Sequence, residues 1–237
     1  MRPFRWDMFL DFYKKVLPYI SVTLAYVIGS VFFGFLIGLG IAMLRLSKNK
    51  VLNAIGSIYV TVFRSVPSVV LLFIIYYGLP MWLEGSFGVL MGDSDTIIYV
   101  IVTFSLLLGS SMSEIIRTSY LAVPKGQYEA AVMVGLTPFE AIKRIVFPQG
   151  FVIALPNLGN IFIFMIKEGA LAYTIGLHDV LGRGMYLGGL KANVFNLELY
   201  VALTLIYWPS TFLLEKAFKA WEKALRNKTK RKKGRVC

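Results

Sequence analysis

The sequence predicts an all-α integral membrane protein with about five transmembrane helices. Its 237 residues are 57% hydrophobic and only 16% charged, against about 25% charged in ordinary soluble domains. Five runs carry no charge at all, at 16–44, 65–83, 96–113, 145–166 and 199–214. About 20 apolar residues cross the hydrocarbon core of a bilayer, so each run reads as a span, the last being the shortest. The basic residues fall unevenly around those spans, which fixes a topology. With the N-terminus outside, eighteen Lys and Arg lie on the inner side and seven on the outer. The C-terminus is then cytoplasmic, and the net charge of +12 belongs to membrane topology rather than to nucleic-acid binding. No internal repeat divides the chain, so 1–237 reads as one transmembrane domain.

Taken in order, residues 1–15 mix Phe4, Trp6, Phe9, Phe12 and Tyr13 with charges, the pattern of an interfacial amphipathic helix. The first span contains Gly34 and Gly38, a GxxxG spacing that lets helix backbones approach closely. A short basic loop, LRLSKNKVLN, returns the chain to the second span, which opens with YVTVFRSVPSVV. Pro67 is expected in its early turns, where a missing N–H costs least, and Arg64 near its inner end, placed to snorkel. The connection at 80–96 is acidic through Glu84, Asp93 and Asp95. The third span ends in SMSEIIRTSYLAV, where Glu114 and Arg117 stand at the i,i+3 spacing that lets opposite charges meet. The fourth span holds Pro148, Gly150, Pro156 and Gly159. Such breakers persist in membranes where freed carbonyls find partners or line a cavity, so this span, with Asn157 and Asn160 on it, is the candidate translocation path. Residues 168–197 are too polar for a span and too apolar for a loop, and read as a re-entrant or surface-lying pair of short helices on the outer side. The fifth span is bounded by Glu198 and Glu215, and residues 217–237 form a basic cytoplasmic tail suited to anionic lipid.

Charges inside a membrane are costly enough to be functional candidates by default. Glu114, Arg117, Lys167 and Glu168 are therefore candidate substrate-pathway residues. An amino acid carries both an ammonium and a carboxylate, which the adjacent opposite charges of Lys167 and Glu168 complement. The single cysteine, Cys237, excludes an intrachain disulfide and a cysteine metal site. Neither HExxH nor GxSxG occurs, His178 is the lone histidine, and no catalytic constellation is expected. A pore lined by the same four charges and a membrane-embedded lipid-modifying enzyme remain the alternative classes.

The stretch EAAVMVGLTPFEAIKRIVFP carries the most specific pattern. Glu129, Ala130 and Ala131 form a small-faced helix, Gly135 follows after three residues, and Ile145 and Pro148 come later at fixed spacing. Alanines let a helix approach a partner surface, and Gly135 permits a sharp reversal. This spacing resembles the EAA loop of ABC importer permeases. The resemblance to their polar amino-acid subfamily extends along most of the chain, through RLS at 45–47, the segment 59–80, SEIIR at 113–117, VPKGQYEAA at 123–131, FPQG at 147–150, LPNLGN at 155–160 and IKEGALAYTIGL at 166–177. It implies that Glu129, Ala130, Ala131, Gly135 and Pro148 couple the chain to an ATPase. It also implies two such subunits binding ATP and magnesium, a second permease copy or a paralogue, an extracytoplasmic substrate-binding protein and a prokaryotic cell membrane. No GxxxxGK[ST] occurs, so nucleotide chemistry belongs to another polypeptide. Two departures stand out. Phe147 precedes the proline where leucine is common, and Lys167-Glu168-Gly169-Ala170-Leu171 replaces Lys-Asp-Thr-Ser-Leu; Glu168 and the following aromatic Tyr173 resemble the cystine and sulfur amino-acid branch.

Overall fold

A computed structural model describes residues 3–89 and 96–233. Asp93, Asp95 and Cys237 lie outside the described residues. All regular structure among those described is helical. Helix α1 (Trp6–Val16) passes through a 3-10 turn (Leu17–Tyr19) into α2 (Ile20–Leu46). Then come α3 (Lys50–Ser65), α4 (Ser68–Phe87), α5 (Thr96–Leu121), the short α6 (Lys125–Met133) and α7 (Pro138–Ala141), and a π-helical turn (Ile142–Val146). Helix α8 (Phe147–Glu168) leads through a second 3-10 turn (Gly169–Ile175) to α9 (Val180–Leu190) and α10 (Asn196–Lys233). Five stretches are long and apolar enough to cross a membrane: Trp6–Leu46, Ser68–Phe87, Thr96–Leu121, Pro138–Ile175 and Asn196–Leu225.

The pairing of α2 with α5 is the centre of the bundle, and glycine makes it possible. A Cβ on Gly34 would stand 2.7 Å from the Leu108 Cβ, and one on Gly38 2.5 Å from that of Met112. The GxxxG therefore serves packing within the chain. Because the partner numbers rise together, α2 and α5 run parallel. Helix α8 runs the other way, with Gly150 beside Ser119 and Met165 in a shared core with Phe104. Helix α10 returns antiparallel to α8, through Phe151 with Trp221 and Phe162 with Phe218. Five alternating crossings leave the α1/α9 end and the α6/α7 end on opposite faces of the membrane.

The second crossing differs from its sequence expectation. It is two helices, broken at Val66 and Pro67, with Pro67 as the residue that caps α4 rather than one inside its early turns. Helix α3 is a full 16 residues, so Arg64 sits at the break between α3 and α4, just before the apolar stretch Ser68–Phe87. The Tyr59 hydroxyl donates to the Leu106 carbonyl at 2.7 Å, which sets α3 against the middle of α5.

At the other end, α1 lays its apolar stripe on protein. Phe9, Phe12 and Val16 are buried in one cluster with Val180, Leu187, Leu199 and Ile206 of α9 and α10. Glu198 is 1% exposed and accepts from the Arg5 backbone N–H at 2.9 Å. Asp179 is fully buried. It caps α9 by accepting from the Gly182 N–H at 2.8 Å and accepts more weakly from Tyr26 and Thr23 of α2 at 3.4 and 3.5 Å.

Candidate functional site

The α6/α7 end carries the EAA residues. Helix α6 stops at a glycine in a Schellman arrangement, in which the Leu136 N–H donates to Ala131 O at 3.2 Å and the Gly135 N–H to Val132 O at 3.0 Å. Gly135 has φ +93°, a conformation that only glycine adopts without strain. Thr137 and Glu140 then form a capping box that starts α7, with Pro138 in its first turn. Glu129 and Ala130 are exposed while Ala131 faces inward. Beside them stand apolar side chains in open solvent: Met133 is 87% exposed, Val134 80% and Phe139 71%. Apolar side chains this exposed are uncommon on a polar loop. Sequence reasoning missed these three; for Met133 and Val134 the signal was an apolar run, VMVGL, at the end of a helix too short to cross a membrane. Pro148 is exposed at the foot of α8.

A second site lies within the bundle, at the break between α3 and α4. A cavity of about 270 Å³ is lined by Phe63, Arg64, Val66, Ser68, Phe104, Leu107, Leu108, Ser110, Ser111, Phe164, Met165 and Glu168. The Ser68 hydroxyl donates to a Glu168 carboxylate oxygen. Glu168 is thus held level with the middle of α5, because the 3-10 turn carries the crossing further. That corrects its expected position at the outer end of the fourth span. The cation in the lining is Arg64, itself exposed, whereas Lys167 lies on another face of α8, as the 100° step between successive helical residues requires. The lining offers one cation, one anion, three serine hydroxyls and an aromatic wall. Sequence reasoning found Glu168 and missed Arg64, whose signal was a charge three residues before a proline within an apolar region.

The remaining candidates are placed elsewhere. Glu114 pairs with Arg117 at 2.6 Å and with Arg45 of α2 at 2.5 Å, so its carboxylate is occupied at the α6/α7 end of the bundle, away from the cavity. Asn157, Asn160 and Lys167 are exposed and recur at intervals of three and seven residues, which puts them on one stripe of α8. The structure therefore brings Glu168 together with Arg64 and Ser68, and separates it from the other predicted pathway residues.

The chain matches known proteins along most of its length. The family described as "Binding-protein-dependent transport system inner membrane component" matches residues 30–227. The chain is 36% identical over 225 residues to the L-cystine transport system permease protein TcyL of Bacillus subtilis, covering 95% of this chain and 93% of that one. It is 37% identical over 176 residues to the histidine/lysine/arginine/ornithine transport system permease protein HisQ of Salmonella typhimurium, covering 73% and 77%. Among solved structures it resembles a chain of an amino acid ABC transporter with a TM-score of 0.80 at 27% identity, covering 94% of this chain and all of that one. A chain of the inward-facing MetNI methionine ABC transporter shares the fold at a TM-score of 0.64, over 93% of this chain and 99% of that one. The chain belongs to this family: it is a multi-pass permease subunit of an ABC importer, working with a substrate-binding protein and with a separate ATPase subunit that hydrolyses the nucleotide.

Proposed function

We propose that the chain carries an amino acid through the cavity between Arg64, Ser68 and Glu168. The observation that carries this reading is that a cation, Arg64, and an anion, Glu168, line one cavity of about 270 Å³ beside the middle of α5. Glu168 receives the ammonium and Arg64 the carboxylate, and Phe63, Phe104 and Phe164 leave the side chain an apolar wall. Resemblance to two L-cystine permease proteins of Bacillus subtilis, TcyL and TcyB, favours cystine among polar amino acids. ATP drives the cycle through an ATPase docked on α6, Gly135 and the exposed Met133, Val134 and Phe139, which puts that end in the cytoplasm and the N-terminus outside. The stripe of Asn157, Asn160 and Lys167 is costly against lipid, and it fits the face toward a second permease copy or a paralogue.

The test reconstitutes the complex with its ATPase and binding protein and measures uptake of L-cystine, L-glutamine, L-histidine and L-arginine. Glu168→Gln keeps shape but removes the charge. It is expected to weaken uptake of the carried amino acid by roughly 1.5 to 3 kcal/mol of a charged hydrogen bond, while ATP turnover without substrate survives. Unchanged apparent affinity for every amino acid, with only a lower melting temperature, would remove Glu168 from the path.

A further inference from the structure

The junction between the π turn and α8 is built around a side chain that the transport path does not use. Phe147 donates its N–H to the Ile142 carbonyl, five residues back, and Pro148 has no N–H to offer. The next residue, Gln149, supplies a donor from its side chain. Its Nε2 donates to the Ile145 carbonyl at 2.9 Å, and the same nitrogen donates to the Gln127 side-chain oxygen on α6. Both protons of the carboxamide are thereby used. Both side chains are half-buried. Helix α6 also rests on the π turn and on α7.

We propose that the Gln127–Gln149 link is the positioning contact that makes α6 and the foot of α8 move as one body. The inference rests on the docking of an ATPase at α6. Helix α8 runs unbroken from Phe147 to Glu168, about 33 Å at the helical rise. A displacement of α6 that reaches its foot through a directional contact is therefore delivered at Glu168. Without the link, α6 reaches α8 through its packing on the π turn and through the glycine reversal at Gly135 and the four residues of α7, and neither route has a side-chain hydrogen bond from α6 to α8 itself among the described residues. A π turn at this point leaves the foot of α8 without a regular ladder, and Gln149 closes it against α6.

The experiment uses the reconstituted complex of permease, ATPase and binding protein, with the amino acid of the panel above that is carried fastest as the transported probe. Gln127→Leu and Gln149→Leu each remove one partner at similar volume. Each variant is expected to co-purify with the ATPase and to keep its basal ATP turnover. Molecules carried per ATP are expected to fall about fivefold, the effect of losing roughly one hydrogen bond. The double variant Gln127→Glu/Gln149→Lys replaces the link by an ion pair and is expected to recover most of the ratio, which a merely structural role would not produce. A wild-type ratio in either single variant overturns the proposal, and so does a double variant no better than the singles. Loss of the ATPase from a Gln variant also overturns it, since the contact then serves docking. The docking reading is judged separately by Met133→Asp: retention of the ATPase there sinks that reading, whereas its loss leaves the link to be decided by the ratio alone.

Discussion

At Asp179 the chain keeps a carboxyl with no water around it. Burial, the largest influence, raises it to about 6 against the hydrogen bonds from Gly182, Tyr26 and Thr23. Since the folded value lies above the unfolded one, the folded protein holds the proton more tightly, and the stability gained below pH 4 is lost as pH rises through 6. A shift of about two units corresponds to roughly 3 kcal/mol. The permease is therefore expected to melt higher at pH 5 than at pH 7.5 on account of this group. Asp179→Asn keeps the acceptor that caps α9, so it should melt above the wild type at pH 7.5 and show less difference between the two values. Thermal unfolding in detergent at both pH values measures this, and an Asn variant that melts lower at pH 7.5 would show that the charge is needed. No feature of the sequence marked Asp179 as buried. Its partners come from α2, more than 150 residues away, and a lone Asp beside glycines reads as a loop residue.

At the scale of elements, all five candidate spans were legible because their lipid-facing sides are apolar and their hydropathy runs are unbroken. Helix α3 was not, since Asn53, Ser57, Tyr59, Thr61 and Arg64 interrupt its apolar run while its other face meets α2 and α5. The depth of Glu168 was misplaced for a related reason. The end of an uncharged run marks where a charge begins, whereas the crossing continues here through Gly169, Ala170 and Ala172, small enough to pass Tyr26 of α2. The reversal after α6 was legible from a single glycine, and it yields a prediction. Gly135 meets nothing within 4 Å of where a Cβ would stand, so only its φ of +93° forbids a side chain. Valine there is strained by about 1 to 3 kcal/mol and should turn α7 away from α6. The Gly135→Val complex is expected to insert and to hydrolyse ATP while uptake falls sharply, and Gly135→Asn, which tolerates positive φ better, should retain more. Normal uptake by the valine variant would show that the reversal does not set the coupling geometry.

For the whole molecule, one helix, α8, joins two sites: an exposed apolar and EAA surface at the α6/α7 end, and a charged chamber at the α3/α4 break. Such a machine works only if the chamber opens to opposite sides of the membrane as the nucleotide state changes, because a bias on an equilibrium requires contacts that differ between the two states. Ser68 is the place to observe this, since its hydroxyl touches Glu168 inside the chamber. The decisive measurement introduces Ser68→Cys together with Cys237→Ser, reconstitutes the complex with its ATPase and binding protein, and times the reaction with an impermeant thiol reagent added from the binding-protein side. Labelling is expected to be fast with ATP trapped on the ATPase, slow without nucleotide, and slowed further in the trapped state by the transported amino acid. Equal rates with and without nucleotide would contradict the assignment of this chamber to the transport path.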